Sequence, residues 1–198
     1  MLAQDKAFSA ASFRDNPAAI STYLTEKLRE NDITKAALAL NTVMRAQNVQ
    51  MLARDAGMRR DTLYRTFSGR IDPQLGRVLK LLQGLNLEPR VVPIVGGPCD
   101  ISAGLNKAFK FTEPRQAIKA LSAVVKSQNV SALAAKLGIL RTTIYKTFGG
   151  TVDPQLSRVL SLFAAFEVRL EVVPAAEITI RPPRPKLGRP RKVPSKRY

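Results

Sequence analysis

The chain has 198 residues, with 32 lysines and arginines against 15 acids, and a formal net charge of +17. It holds no histidine and one cysteine, Cys99, which excludes an internal disulfide, a thiolate metal cluster and histidine-based acid–base catalysis. So much like charge repels itself and calls for an anionic partner.

In chain order, Ala18, Ile20, Tyr23, Leu24 and Leu28 fall at helical spacing between Pro17 and Glu30, and Asn31-Asp32 closes that segment. A second helical pattern runs from Ala36 to Arg45. Asn48 caps a short helix, Val49 to Asp55, which stops at Gly57, and another short helix, Arg60 to Phe67, follows closely. After Gly69, Asp72-Pro73 reads as the N-cap and first position of a helix whose apolar stripe is Leu75, Val78, Leu79 and Leu82. The β-branched pair in Glu88 to Ile94 favours a short strand. The same order then returns: Ile101 to Phe109, Ala117 to Lys126, Val130 to Leu137, Arg141 to Phe148, Pro154 to Phe166, and a strand at Arg169 to Val173. Gly96-Gly97-Pro98 is the seam between the two, and Pro174 opens a tail carrying Pro182, Pro183, Pro185, Pro190 and Pro194, extended and disordered when free.

The recurrence is a sequence repeat at a constant offset, without a gap. Gly57 falls on Gly138, Tyr64 on Tyr145, and Asp72-Pro73-Gln74-Leu75 on Asp153-Pro154-Gln155-Leu156. From Lys35 to Pro93, nearly half the positions are identical to their counterparts between Gln116 and Pro174. The expected organisation is mainly α. Two tandem helix-turn-helix bundles (1–96 and 97–175) each end in a short strand, and a basic tail follows (176–198). Leu52, Leu63, Leu75, Val78, Leu133, Ile144, Leu156 and Val159 should lie in the cores. A lone short strand is unstable, so Arg90–Val92 should pair with Glu171–Val173 or with a partner chain.

Within each repeat two short helices meet at a glycine turn. The required apolar and small slots are filled twice, by Leu52, Ala53, Ala56, Gly57, Met58 and Leu63, and by Leu133, Ala134, Leu137, Gly138, Ile139 and Ile144. Thr66 and Thr147 depart from the pattern, which usually has a larger aliphatic there, and should leave the helix end less firmly packed. The outward residues of the second helix are Arg59, Arg60, Asp61, Tyr64 and Arg65, and then Leu140, Arg141, Thr142, Tyr145 and Lys146. Arginine early in such a helix reaches guanine bidentately, and threonine or tyrosine contacts a base edge or phosphate. A plainly solvated helix face is the bland alternative. Against it, Arg60/Arg141, Tyr64/Tyr145 and the cation at Arg65/Lys146 persist while their solvent-facing neighbours differ.

The run from Tyr23-Leu24 to Pro93, with Gly57-Met58-Arg59-Arg60-Asp61-Thr62-Leu63-Tyr64-Arg65 and the following Asp72-Pro73, resembles the addiction-module antidote proteins of bacteria. These are HigA-like members of the lambda-repressor-like helix-turn-helix superfamily. The resemblance takes in that whole run of the first repeat and most of the second. It implies a lambda-repressor-like fold, DNA binding and a possible toxin partner. The serine or threonine usual at the start of the second helix is here Arg59 and Leu140, and such antidotes are usually single-copy.

Eight of the basic residues, and no acid, lie in Ile178 to Tyr198. Within that segment Lys186-Leu187-Gly188-Arg189-Pro190-Arg191-Lys192 resembles an AT-hook. Pro190 fixes an extended backbone, Gly188 permits close approach, and Arg189, Arg191 and Lys192 suit a narrow A·T minor groove. The usual arginine before the glycine is Leu187. A nonspecific phosphate-binding arm is the alternative.

The function expected is that of a transcriptional regulator reading double-stranded DNA with two recognition helices, as one chain or as a homodimer. An antitoxin that occludes a toxin protein is the second reading, and an architectural nucleoid-type protein the third. No catalytic residue, cofactor, metal or membrane partner is expected. The first residues lack the order of a signal peptide, so a cytoplasmic, nucleoid-associated location is expected.

Overall fold

A computed structural model describes residues 10–94, 96–97, 99–111 and 113–176. The first repeat comprises α1 (Ala10–Phe13), α2 (Pro17–Leu28), α3 (Ile33–Ala46), α4 (Val49–Asp55), α5 (Arg60–Thr66), α6 (Leu75–Gly84) and β1 (Leu87–Pro93). The second comprises α7 (Cys99–Phe109), α8 (Pro114–Lys126), α9 (Val130–Leu137), α10 (Arg141–Phe148), α11 (Leu156–Ala165) and β2 (Val168–Pro174). Among the described residues the fold is thus mainly helical with one two-stranded sheet, and all eight residues expected in the cores are buried. Among the described residues no helix is long and apolar enough to cross a membrane.

Side-chain caps set several boundaries. Asn16 accepts from the Ala19 amide with Pro17 at the first helical position, and Asn48 accepts from Gln50 and Met51. Asp32, expected only to close the preceding segment, accepts from the Thr34 and Lys35 amides, so α3 begins before Ala36. The short α1 has no counterpart among the expected helices; its Phe13 ring lies 5.1 Å from that of Tyr23.

The two repeats are interlocked. β1 and β2 pair antiparallel, so that Arg90 faces Glu171, its own counterpart in the second repeat. A pseudo-two-fold axis therefore passes through the middle of the sheet. The helices at the start of each repeat are exchanged across it. The Thr25 hydroxyl on α2 donates to the Val172 carbonyl (3.0 Å) and accepts from its amide (2.9 Å) on β2. At the symmetric place, Asn106 on α7 donates to the Val91 carbonyl (2.8 Å) and accepts from its amide (2.7 Å) on β1. Each strand of a two-stranded sheet has one bare edge, and these side chains satisfy backbone groups that no third strand reaches.

A second crossing lies on the same axis, where Gln74 and Gln155 form an isolated antiparallel bridge. The Leu75 amide donates to the Pro154 carbonyl and the Leu156 amide to the Pro73 carbonyl, both at 2.8 Å. The reading of Asp72-Pro73 as the cap and first residue of its own helix is corrected here. α6 begins at Leu75 with Gln74 at the cap and no side-chain cap bond. Asp72 instead accepts from the Ser157 amide in the first turn of α11, and Asp153 from the Gly76 amide in the first turn of α6. Each repeat supplies the carboxylate that caps the other's helix.

Candidate nucleic-acid interface

In each repeat two short helices, α4 and α5 or α9 and α10, meet at a glycine turn. Gly57 and Gly138 adopt φ of +58° and +64°, conformations that L side chains rarely take. Behind each glycine the chain doubles back: the Met58 amide donates to Ala53 (2.9 Å) and the Ile139 amide to Ala134 (3.0 Å). These 6→1 bonds close a Schellman motif at the end of α4 and of α9. Leu52, Ala53 and Leu63, with their counterparts Leu133, Ala134 and Ile144, are buried where the helix pairs cross. At the cap positions of α5 and α10, Arg59 and Leu140 share φ −73° and ψ 145°, and neither side chain makes a cap bond.

Every outward residue named from the sequence is exposed: Arg59, Arg60, Asp61, Tyr64 and Arg65 on α5, and Leu140, Arg141, Thr142, Tyr145 and Lys146 on α10. Each set shares one helix face, and the sets belong to repeats related by the pseudo-two-fold axis. The faces are not identical. Arg59 pairs with Asp61 at 3.1 Å, an exposed contact that contributes little to stability but orients the guanidinium. The second repeat has Leu140, 73% exposed, and Thr142 instead. Arg60 sits over the Tyr64 ring at 5.7 Å, holding both side chains on the outer face.

The expected loosening at Thr66 does not occur. Thr66 is buried, and its hydroxyl accepts from the Arg77 guanidinium on α6 at 2.8 Å, a polar strut in place of aliphatic packing. Thr147, its counterpart, is half-buried. The hook residues Gly188, Arg189, Pro190, Arg191 and Lys192 lie outside the described residues.

Sequence reasoning missed a cleft of about 990 Å³ beside α5, formed between the repeats. The first repeat contributes Arg59, Thr62, Arg77 and Lys80; the second contributes Arg115 and Lys119 from α8 and Asp153 from the loop before α11. These residues are far apart in sequence and converge only through the interlock. Burial raises the Asp153 carboxyl above its ordinary 3.8, opposed by the Gly76 amide bond and by nearby Arg77.

A family profile described as "Probable addiction module antidote protein" matches residues 4–93 and again residues 98–174. The chain belongs to this antidote family. Both matches coincide with the repeats, so the antidote unit is present twice. The chain is also 37% identical, over 91 residues, to an uncharacterized protein of Haemophilus influenzae, spanning 46% of this chain and 94% of that relative. That relative is therefore about as long as one antidote unit. No solved structure matches the chain.

Proposed function

We propose that this antidote-family chain is a DNA-binding regulator that reads duplex DNA as a single-chain pseudo-dimer. The observation that carries the reading is the relation of α5 to α10. Two exposed helix faces, each led by an arginine and a tyrosine, belong to repeats related by an approximate two-fold axis, the symmetry of an operator with inverted half-sites. The net charge of +17 supports it, because phosphate neutralisation supplies most of the affinity for nucleic acid. The test is selection of binding sites from random duplexes. The expected product is an imperfect inverted repeat, with half-sites one helical turn (about 34 Å) or a multiple apart. Imperfection follows from Arg59 against Leu140 and Asp61 against Thr142. Recovery of duplexes with no shared sequence would overturn the reading in favour of an architectural protein.

Family membership favours a second activity on the same molecule, the binding and neutralisation of a toxin protein. A body this cationic suits a toxin with an acidic docking surface. Co-expression with the product of a neighbouring small reading frame tests it: growth arrest relieved by this chain supports neutralisation, and arrest that persists refutes it.

A further inference from the structure

Two repeats sharing so much sequence would be expected to build matching surfaces on either side of the axis. At the inter-repeat cleft they do not. Its wall holds five cations, Arg59, Arg77, Lys80, Arg115 and Lys119, against two carboxylates, Glu113 and Asp153. At the equivalent positions of the opposite repeat stand Leu140, Arg158, Ser161, Thr34 and Leu38, with Asp32 and Asp72. Four of the five cations thus have neutral counterparts; the symmetric side regains one, Arg70 for Thr151, and is balanced overall. Leu38 and Leu140 are exposed there, at 54% and 73%.

The chemistry of the wall defines what it would take. Among the described residues only Arg59 of the five is ion-paired, with Asp61 on its own helix. Lys80, Arg115 and Lys119 thus line one concavity without an ion-pair partner among the described residues, and an anion bound there would offset their charge. Among the described residues no aromatic side chain lines the cleft, so they offer no platform on which a base could stack. The wall is also more charged than the mostly apolar pockets that hold small organic ligands. Arg59 opens the recognition helix and lines the cleft as well, which makes the cleft continuous with the face assigned to base reading. Arg77 is held in place by its bond to Thr66.

We propose that this cleft clamps the sugar–phosphate backbone of duplex DNA on the flank of the half-site read by the first repeat, and that the second half-site lacks an equivalent clamp. The proposal rests on the DNA-binding reading. It makes the two halves of the operator energetically unequal, with the first repeat's side held by more phosphate contacts.

The test is the salt dependence of binding to the selected operator by the full chain and by a Lys80→Gln/Arg115→Gln/Lys119→Gln variant. A Lys107→Gln/Lys110→Gln variant controls for charge removed elsewhere. Each lost phosphate contact should flatten the slope of log affinity against log salt by about 0.9. The triple variant should therefore flatten the slope by roughly 2–3 in all, and the control should leave it nearly unchanged. Ethylation interference should show protected phosphates on one flank only, lost in the triple variant. DNA binding with an unchanged slope, or equal interference on both flanks, overturns the clamp while leaving the DNA reading intact. Should the cleft serve an acidic protein segment instead, the triple variant would keep the wild-type slope and lose that partner, which also overturns it. Failure of the wild-type chain to bind any duplex sinks both readings.

Discussion

Replacing Asn106 by alanine removes the side chain that closes the outer edge of β1. Val91 is 1% exposed, and its amide and carbonyl both bond to that one carboxamide, at 2.7 and 2.8 Å. Each backbone group left without a partner costs about 1–3 kcal/mol. Asn106 is itself half-buried, so water can partly replace it, and roughly 2–4 kcal/mol is expected in all. With a urea dependence of about 2–3 kcal/mol per molar for a chain of this size, the midpoint should fall by about 1 M. The melting temperature should drop on the order of 10 °C. Thr25→Val keeps the side-chain shape and deletes both bonds to Val172 at the symmetric site, so it should cost a similar amount. Because the repeats cap and close one another, each variant should still unfold in a single transition, followed by far-UV circular dichroism. A loss below about 0.5 kcal/mol for Asn106→Ala, the range of ordinary surface substitutions, would refute the reasoning. So would two resolved transitions.

Arg60→Ala and Arg141→Ala should each cost about 1–3 kcal/mol at the preferred operator and little on unrelated DNA, by titration on both; equal losses on both would make them phosphate contacts. Asp153→Ala should destabilise by about 1 kcal/mol through the lost cap on α6, while Asp153→Asn, which keeps the accepting oxygen, should not. Burial raises the Asp153 carboxyl, so the folded state holds its proton to higher pH than the unfolded chain. Its contribution to stability therefore falls as pH rises from 3.8 through the raised value, and Asp153→Asn should flatten the urea midpoint across that window. Removing Ile178 to Tyr198 should lower DNA affinity and flatten its salt dependence without changing the operator sequence. Arg189→Ala alone should weaken binding to A·T tracts more than to G·C-rich DNA if the segment is a groove hook.

What can be read in the sequence follows from how local the cause is. Helices α4, α5, α9 and α10 are legible because apolar spacing and a glycine needing positive φ are properties of a short consecutive run. The strands are legible through their paired valines and do pair with each other, but in a shifted register: Arg90–Val92 lies against Arg169–Glu171, not Glu171–Val173. The crossed caps are not legible. Asp-Pro ahead of an apolar stripe is as good a cap for its own helix as for another's, and only the three-dimensional crossing decides. Thr25 and Asn106 are hidden for a second reason: they are different residues at equivalent positions, so comparing the repeats gives no sign that both close a strand edge. The cleft cations are hidden similarly, because what marks Lys80, Arg115 and Lys119 is the failure of the repeat to reproduce them.

The passage from β1 into α7 within one polypeptide has a consequence for how the protein responds to its own abundance. A reader of DNA assembled from two free chains loses occupancy with the square of chain concentration once the assembly begins to fall apart. Here the second half is always present at the effective concentration set by a short connection, so dilution cannot separate the pair. On the proposed DNA-reading function, occupancy of an operator should then follow the first power of the number of molecules in the cell. A change in synthesis or degradation would be transmitted proportionally, without the threshold that dimerisation imposes.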